Sequence, residues 1–168
     1  MARELAPSPR SRDPQAHDHR RCVSTSLDAA EMMAHERKLR LTARRCEVLK
    51  IISRSHRPLG AYDVMAALAT TRGQTTAPPT VYRALDFLVA QGLVHRIDSK
   101  NAFVACFRPR DAHRAHFLLC ESCGCATELA DAGLDSALTA CARSAGFAVQ
   151  RETVEIIGQC GDCTKAGS

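Results

Sequence analysis

Residues 78–107 read PPTVYRALDFLVAQGLVHRIDSKNAFVACF. Two prolines open the stretch, where their fixed φ is pre-organised for a first helical turn, and Gly92 stands where a helix would end. Between them Val81, Leu85, Leu88 and Val89 recur at helical spacing and form one apolar face, from which Arg83 points away. From Leu93 to Phe107 apolar residues alternate around a polar centre, the pattern of a β-hairpin. With its turn at Lys100-Asn101 the hairpin sets His95 opposite Cys106, and directly opposed Cβ atoms lie about 5 Å apart.

A helix that feeds a hairpin is the second half of a winged helix-turn-helix, and the preceding residues supply the first half. Residues 26–39 (SLDAAEMMAHERKL) predict a helix capped by Ser26. Residues 42–55 predict a second, capped by Thr42, with Val48, Leu49 and Ile52 inward. Pro58 and Gly60 break the chain, and residues 61–70 predict a third helix around Val64, Met65 and Leu68. The helix after Pro78-Pro79 is then the one placed to enter a DNA major groove. Residues 1–25 read as a disordered tail, and its His17-x-His19 pair as inert.

Charge points the same way. The chain of 168 residues carries a net +5, but residues 37–100 hold 12 basic and 4 acidic groups, net +8. A concentrated basic segment is the footprint of a polyanion, although a merely solvated basic surface reads the same. Aromatics are 4% and Trp is absent, which speaks against one large core and for two small ones assisted by metal. No apolar run of membrane-spanning length occurs, and the first residues lack a secretory pattern, so a cytoplasmic protein without membrane attachment is expected. In that reducing setting nine cysteines suggest metal or redox chemistry rather than disulfides.

Seven cysteines follow residue 100. Cys120-Glu-Ser-Cys123 and Cys160-Gly-Asp-Cys163 are two C-x-x-C units, and two such knuckles complete a tetrahedral zinc site. Redox pairs or buried thiols are the other readings, but neither unit opens a helix within a βαβ pattern. Cys22, Cys46, Cys125 and Cys141 read as small hydrophobes or free thiols, with Cys125 a competitor of Cys123. His95, Cys106, His113 and Glu128 form a further N, S, N, O donor set suited to zinc. Its thiolate disfavours hard cations such as Mn²⁺ or Mg²⁺. Residues 108–168 thus read as a zinc-binding α/β unit with a strand at 116–120, a helix at 131–145 and strands within 147–157.

The stretches RLTARRCEVLK, GAYDVM, PPTVYRALDFLVAQGLVHRI, HFLLCESCG and the terminal C-x-x-C, in that order, resemble the ferric uptake regulator family, and within it the zinc-responsive branch. The resemblance spans roughly residues 30–163. It implies an α+β protein: a winged-helix DNA-binding domain over 26–107 and a dimerisation domain over 108–168. It implies a metal-dependent repressor, not an enzyme, acting as a homodimer on a pseudo-palindromic double-stranded operator, with no small-molecule substrate. Cys120, Cys123, Cys160 and Cys163 match the structural zinc ligands, and His95, Cys106, His113 and Glu128 the regulatory ones. The Cys106–His113 interval is one residue shorter than the pattern, which leaves His116 as an alternative donor. Tyr62 and Arg83 match DNA-contacting positions, with Thr80 and Tyr82 as further candidates. An iron-, manganese- or peroxide-responsive regulator is the alternative within the family. A zinc hydrolase using His95, His113 and Glu128 is a remote alternative outside it.

Overall fold

A computed structural model describes residues 19–73, 76–109, 114–129 and 131–166. The fold is α+β, with a helical module ending in a hairpin followed by a small sheet and helices.

Helix α1 runs His19–Glu36, with Ser26, Ala29, Ala30 and Met33 inward at spacings of three and four. It therefore begins seven residues before the expected start, and residues 19–25 are helical rather than tail. No Gly or Pro interrupts HRRCVST, and Ser26 turns inward instead of capping. Helix α2 (Ala43–Ser53) is capped as expected, its Thr42 hydroxyl accepting the Arg45 N–H at 3.4 Å. The two-residue strand β1 (Leu59–Gly60) leads into α3 (Ala61–Arg72), where the Asp63 carboxylate accepts the Gly60 N–H at 2.9 Å. Helix α4 (Pro78–Ala90) has both prolines in its first turn. Gly92 follows in the left-handed conformation (φ +70°), and the Leu93 N–H returns to the Leu88 carbonyl at 2.9 Å.

Val48, Leu49, Ile52, Val64, Leu68, Val81, Leu85 and Leu88 form the core of this module. Val89, expected on the apolar face of α4, is 37% exposed, and Ala84 completes that face in its place. The chain then turns through β2 (Val94–Ile97), a short 3₁₀ turn (Asp98–Lys100) and β3 (Ala102–Ala105), with β1 on the far edge of β3. Asn101 takes the left-handed conformation (φ 45°), so four residues rather than two close the hairpin. His95 therefore pairs with Val104, not Cys106, and Ile97 with Ala102. The register differs from expectation by two positions, and a shift of two leaves every side chain on its expected face.

The second module contains β4 (His116–Cys120), β5 (Ala126–Leu129), α5 (Ala132–Ser144), β6 (Glu155–Gly158) and the short α6 (Gly161–Ala166). Strand β4 is central, antiparallel to β5 and parallel to β6. The modules meet face to face: Ile97 and Val104 pack on Phe117, Leu119 and Ala126 in a second small core. Glu155 accepts the Asp98 N–H at 2.7 Å, and the His56 carbonyl accepts the Ala126 N–H at 2.9 Å. Among the described residues no helix is long and apolar enough to cross a membrane.

Leu85 is fully buried, so Leu85→Ala leaves a cavity and lowers stability by about 2–5 kcal/mol. Val89→Ala, at the exposed end of the same row, costs about 1 kcal/mol or less. Chemical denaturation of the two variants under identical metal loading measures the contrast.

Candidate metal centres and nucleic-acid interface

The two knuckles converge. Cys120 ends β4, Cys123 lies in the turn before β5, and Cys160 and Cys163 flank the start of α6. Their four sulfurs lie within 4.8 Å of one another, and Cys123 and Cys160 are 3.9 Å apart. Tetrahedral zinc with Zn–S bonds of about 2.3 Å separates sulfurs by roughly 3.8 Å, so these residues fit the ion. The Cys123 and Cys160 backbone N–H groups point at Cys120 Sγ, at 3.5 and 3.3 Å. They pull the Cys120 thiol down to about 6, against its burial. Cys163 is instead pushed up to about 12, first by hydrogen bonding to Cys160. Cys125 stays outside the cluster, and burial pushes its thiol up to about 11.

The second set lies where the modules meet. His95 leaves the outer face of β2, Cys106 follows β3, and Glu128 is on β5. One donor atom from each lies within 4.8 Å of the other two. The Glu128 side chain is 4% exposed, its Oε2 is 3.9 Å from His95 Nε2, and it accepts the Phe107 N–H at 3.1 Å. A carboxylate this buried is stabilised by a positive partner, and imidazole, thiolate and carboxylate together suit zinc. His95 and Cys106 are thus neighbours, diagonally across the ladder rather than directly opposed. His113 lies outside the described residues. His116, its alternative, is committed elsewhere: it is fully buried, and its Nε2 lies 2.8 Å from Asp135 Oδ1 on α5. Nearby, Arg114 donates to Glu152 at 2.7 Å and to Thr139 at 2.9 Å, which fastens α5 to the sheet.

Two groupings escape sequence reading. His116, Asp135 and Glu152 form one, and their wide separation in the chain carries no motif. His19, Cys22 and His56 form the other. The spacing of His19 and Cys22 by three was a legible signal, because such residues share a helix face.

The candidate DNA-contacting residues are each exposed. Tyr62 at the start of α3 is 76% exposed, and Tyr82 on α4 is 40% exposed. Thr80 and Arg83 are exposed on the first turns of α4, and Arg83 makes no hydrogen bond or ion pair with any described residue. Arg45 is spoken for, with its guanidinium 3.4 Å above the Phe87 ring.

The family model described as "Ferric uptake regulator family" matches residues 36–157. The zinc uptake regulation protein of Escherichia coli (strain K12) is 36% identical over 140 residues, covering 83% of this chain and 81% of that protein. Among solved structures, a zinc uptake regulator complexed with zinc and DNA superposes with a TM-score of 0.81 at 34% identity, over 86% of this chain and 97% of that one. XcZur in its holo form superposes at 0.76 with 42% identity, over 85% and 99% of the two chains. Its apo form superposes at only 0.51 with 41% identity, over 86% and 99%.

Thiol alkylation with and without a strong chelator checks the four-sulfur cluster. In zinc-loaded protein the exposed Cys141 reacts and Cys120, Cys123, Cys160 and Cys163 are protected; chelation opens those four together.

Proposed function

The chain belongs to the ferric uptake regulator family, and on that premise we propose that it is a cytoplasmic zinc-responsive transcriptional repressor controlling zinc uptake genes. It binds a pseudo-palindromic DNA operator as a homodimer when its regulatory zinc is bound. The observation that carries this reading is the meeting of His95, Cys106 and Glu128 across the two modules, with donor atoms within 4.8 Å.

The division of labour follows the chain. Residues through Phe107 form the winged-helix DNA-binding domain, and residues 108–168 the zinc-binding dimerisation domain. Cys120, Cys123, Cys160 and Cys163 hold a structural zinc, and His95, Cys106, His113 and Glu128 the regulatory one. When bound, zinc supplies at each place a cross-link between chain segments distant in sequence. At the regulatory site His95 and Cys106 present the wing's outer face, and Glu128 meets them from the sheet. Those groups set the angle between wing and sheet, hence the spacing of two recognition helices in a dimer. The better superposition on the holo than the apo form of XcZur supports this link between metal and domain arrangement. Support for self-association comes from exposed apolar side chains on the second module, Leu118, Phe147, Ile156 and Ile157, and from α5, no residue of which is fully buried.

On the DNA side, Arg83 reads a guanine edge, because an uncommitted guanidinium can bind guanine O6 and N7 together. Tyr62, Thr80 and Tyr82 position α4 by contacts to thymine methyls or phosphates. The net +8 of residues 37–100 supplies most of the affinity, which falls steeply with salt.

DNA binding measured across buffered free zinc tests this reading. Wild type tightens about 5–150-fold on loading the regulatory site, and Cys106→Ser loses that response while keeping its four-sulfur zinc. Equal binding by both proteins at every zinc level overturns the assignment. Arg83→Ala weakens specific binding by about 1–3 kcal/mol and flattens preference at one base position. An unchanged operator preference removes it from base readout.

A further inference from the structure

We infer that His19, Cys22 and His56 form a third zinc-binding site, separate from the four-sulfur and regulatory ones, which staples the first turns of α1 to the junction of the two modules. One ring nitrogen from each histidine and the Cys22 sulfur lie within 4.8 Å of one another, and all three residues are partly or largely buried. The rings of His19 and His56 are 5.1 Å apart at 38°. Zinc-bound nitrogen and sulfur donors stand roughly 3.3–3.6 Å apart, so side-chain rotations closing about 1 Å complete the grip. Two imidazoles and a thiolate select a borderline-to-soft ion and disfavour Mg²⁺, Ca²⁺ and Mn²⁺. Three protein donors leave a fourth position for water.

A second observation independently asks for something at this place. The buried residues of α1 begin at Ser26, and of its first seven residues none is fully buried and only His19, Cys22 and Val23 are half-buried. Helical turns without a packed face are marginal in water. Two of the three donors, His19 and Cys22, stand on these turns, and His56 meets them from the loop after α2. His56 in turn holds the junction: its carbonyl accepts the Ala126 N–H at 2.9 Å, and its ring stacks on Phe107 at 5.5 Å. An ion held here joins α1 and the loop after α2 next to Phe107, where the chain leaves the hairpin.

The full-length protein, its four-sulfur site filled with zinc, provides the test in a Cys106→Ser background, where Cys22 supplies the thiolate of the proposed third site. Added Co²⁺ produces a thiolate-to-cobalt charge-transfer band that disappears in Cys106→Ser/Cys22→Ser and weakens in Cys106→Ser/His19→Ala. Equilibrium dialysis against Zn²⁺ shows one ion per protomer fewer for Cys22→Ser than for wild type. Amide exchange over residues 19–26 slows on adding Zn²⁺ to wild type and not to Cys22→Ser. A band that is absent from Cys106→Ser or persists in the double variant overturns the site. Unchanged zinc stoichiometry does the same, and exchange that ignores zinc overturns the stapling role. Because Cys106 is already removed in the cobalt arm, failure here leaves the regulatory-site reading standing.

Discussion

The architecture depends on the contact between the back of the wing and the second sheet. A hairpin has two faces, and here both are used. Val94, Phe103 and Ala105 turn toward the helices and close the first core. Ile97 and Val104 turn the other way and close the second core with Phe117, Leu119 and Ala126. Alternation along β2 and β3 then fixes which way His95 and Cys106 face: toward the sheet, and so toward Glu128. This apolar contact is small, formed by five buried residues. It is too slight to lock two modules by burial alone, and polar groups along its border decide how firmly it closes.

Glu128 is the most consequential of those groups. Its side chain is almost wholly buried, yet it comes from an edge strand of the second module and meets groups of the first. Removing a carboxylate from water is unfavourable unless donors or a cation compensate. The Phe107 N–H supplies one donor, at the point where the chain leaves the wing. The carboxylate thus makes closure of the two modules sensitive to whatever positive charge reaches it, which is the property a metal-operated joint requires.

Much of this was legible in the chain, for identifiable reasons. The helix of residues 78–90 announced itself through two prolines, a glycine and an apolar face, all local signals. The knuckles announced themselves through spacing. The hairpin turn did not, because Lys-Asn specifies a turn weakly and Asn101 alone took the left-handed conformation. The donor set survived that miss because the error was even: an odd slip would have buried His95 among the helices and turned Cys106 away from Glu128. Asp135 and Glu152 stayed invisible because their meeting with His116 and Arg114 depends on where α5 and the segment before β6 settle on the sheet. The early start of α1 was missed for a related reason. Composition marked residues 19–25 as polar, and polarity alone does not distinguish a solvated tail from a helix held by a few specific groups.

The placement of the two proposed zinc sites assigns them different consequences. All four cysteines belong to the second module, and they fasten Cys160 and Cys163 near the chain end to the β4–β5 turn. Loss of that cross-link leaves the terminal segment held by the parallel pairing of β6 with β4 and by such contacts as Glu155 with the Asp98 N–H, so the energy of the site goes into folding of the second module. The His95, Cys106 and Glu128 group ties no segment that its own module does not already hold. Each of the three stands in or beside a strand already paired, so losing their common partner leaves both cores intact and frees only the angle between them. A site that controls an angle between two folded bodies can follow ligand concentration reversibly, whereas a site that controls folding answers concentration with unfolding.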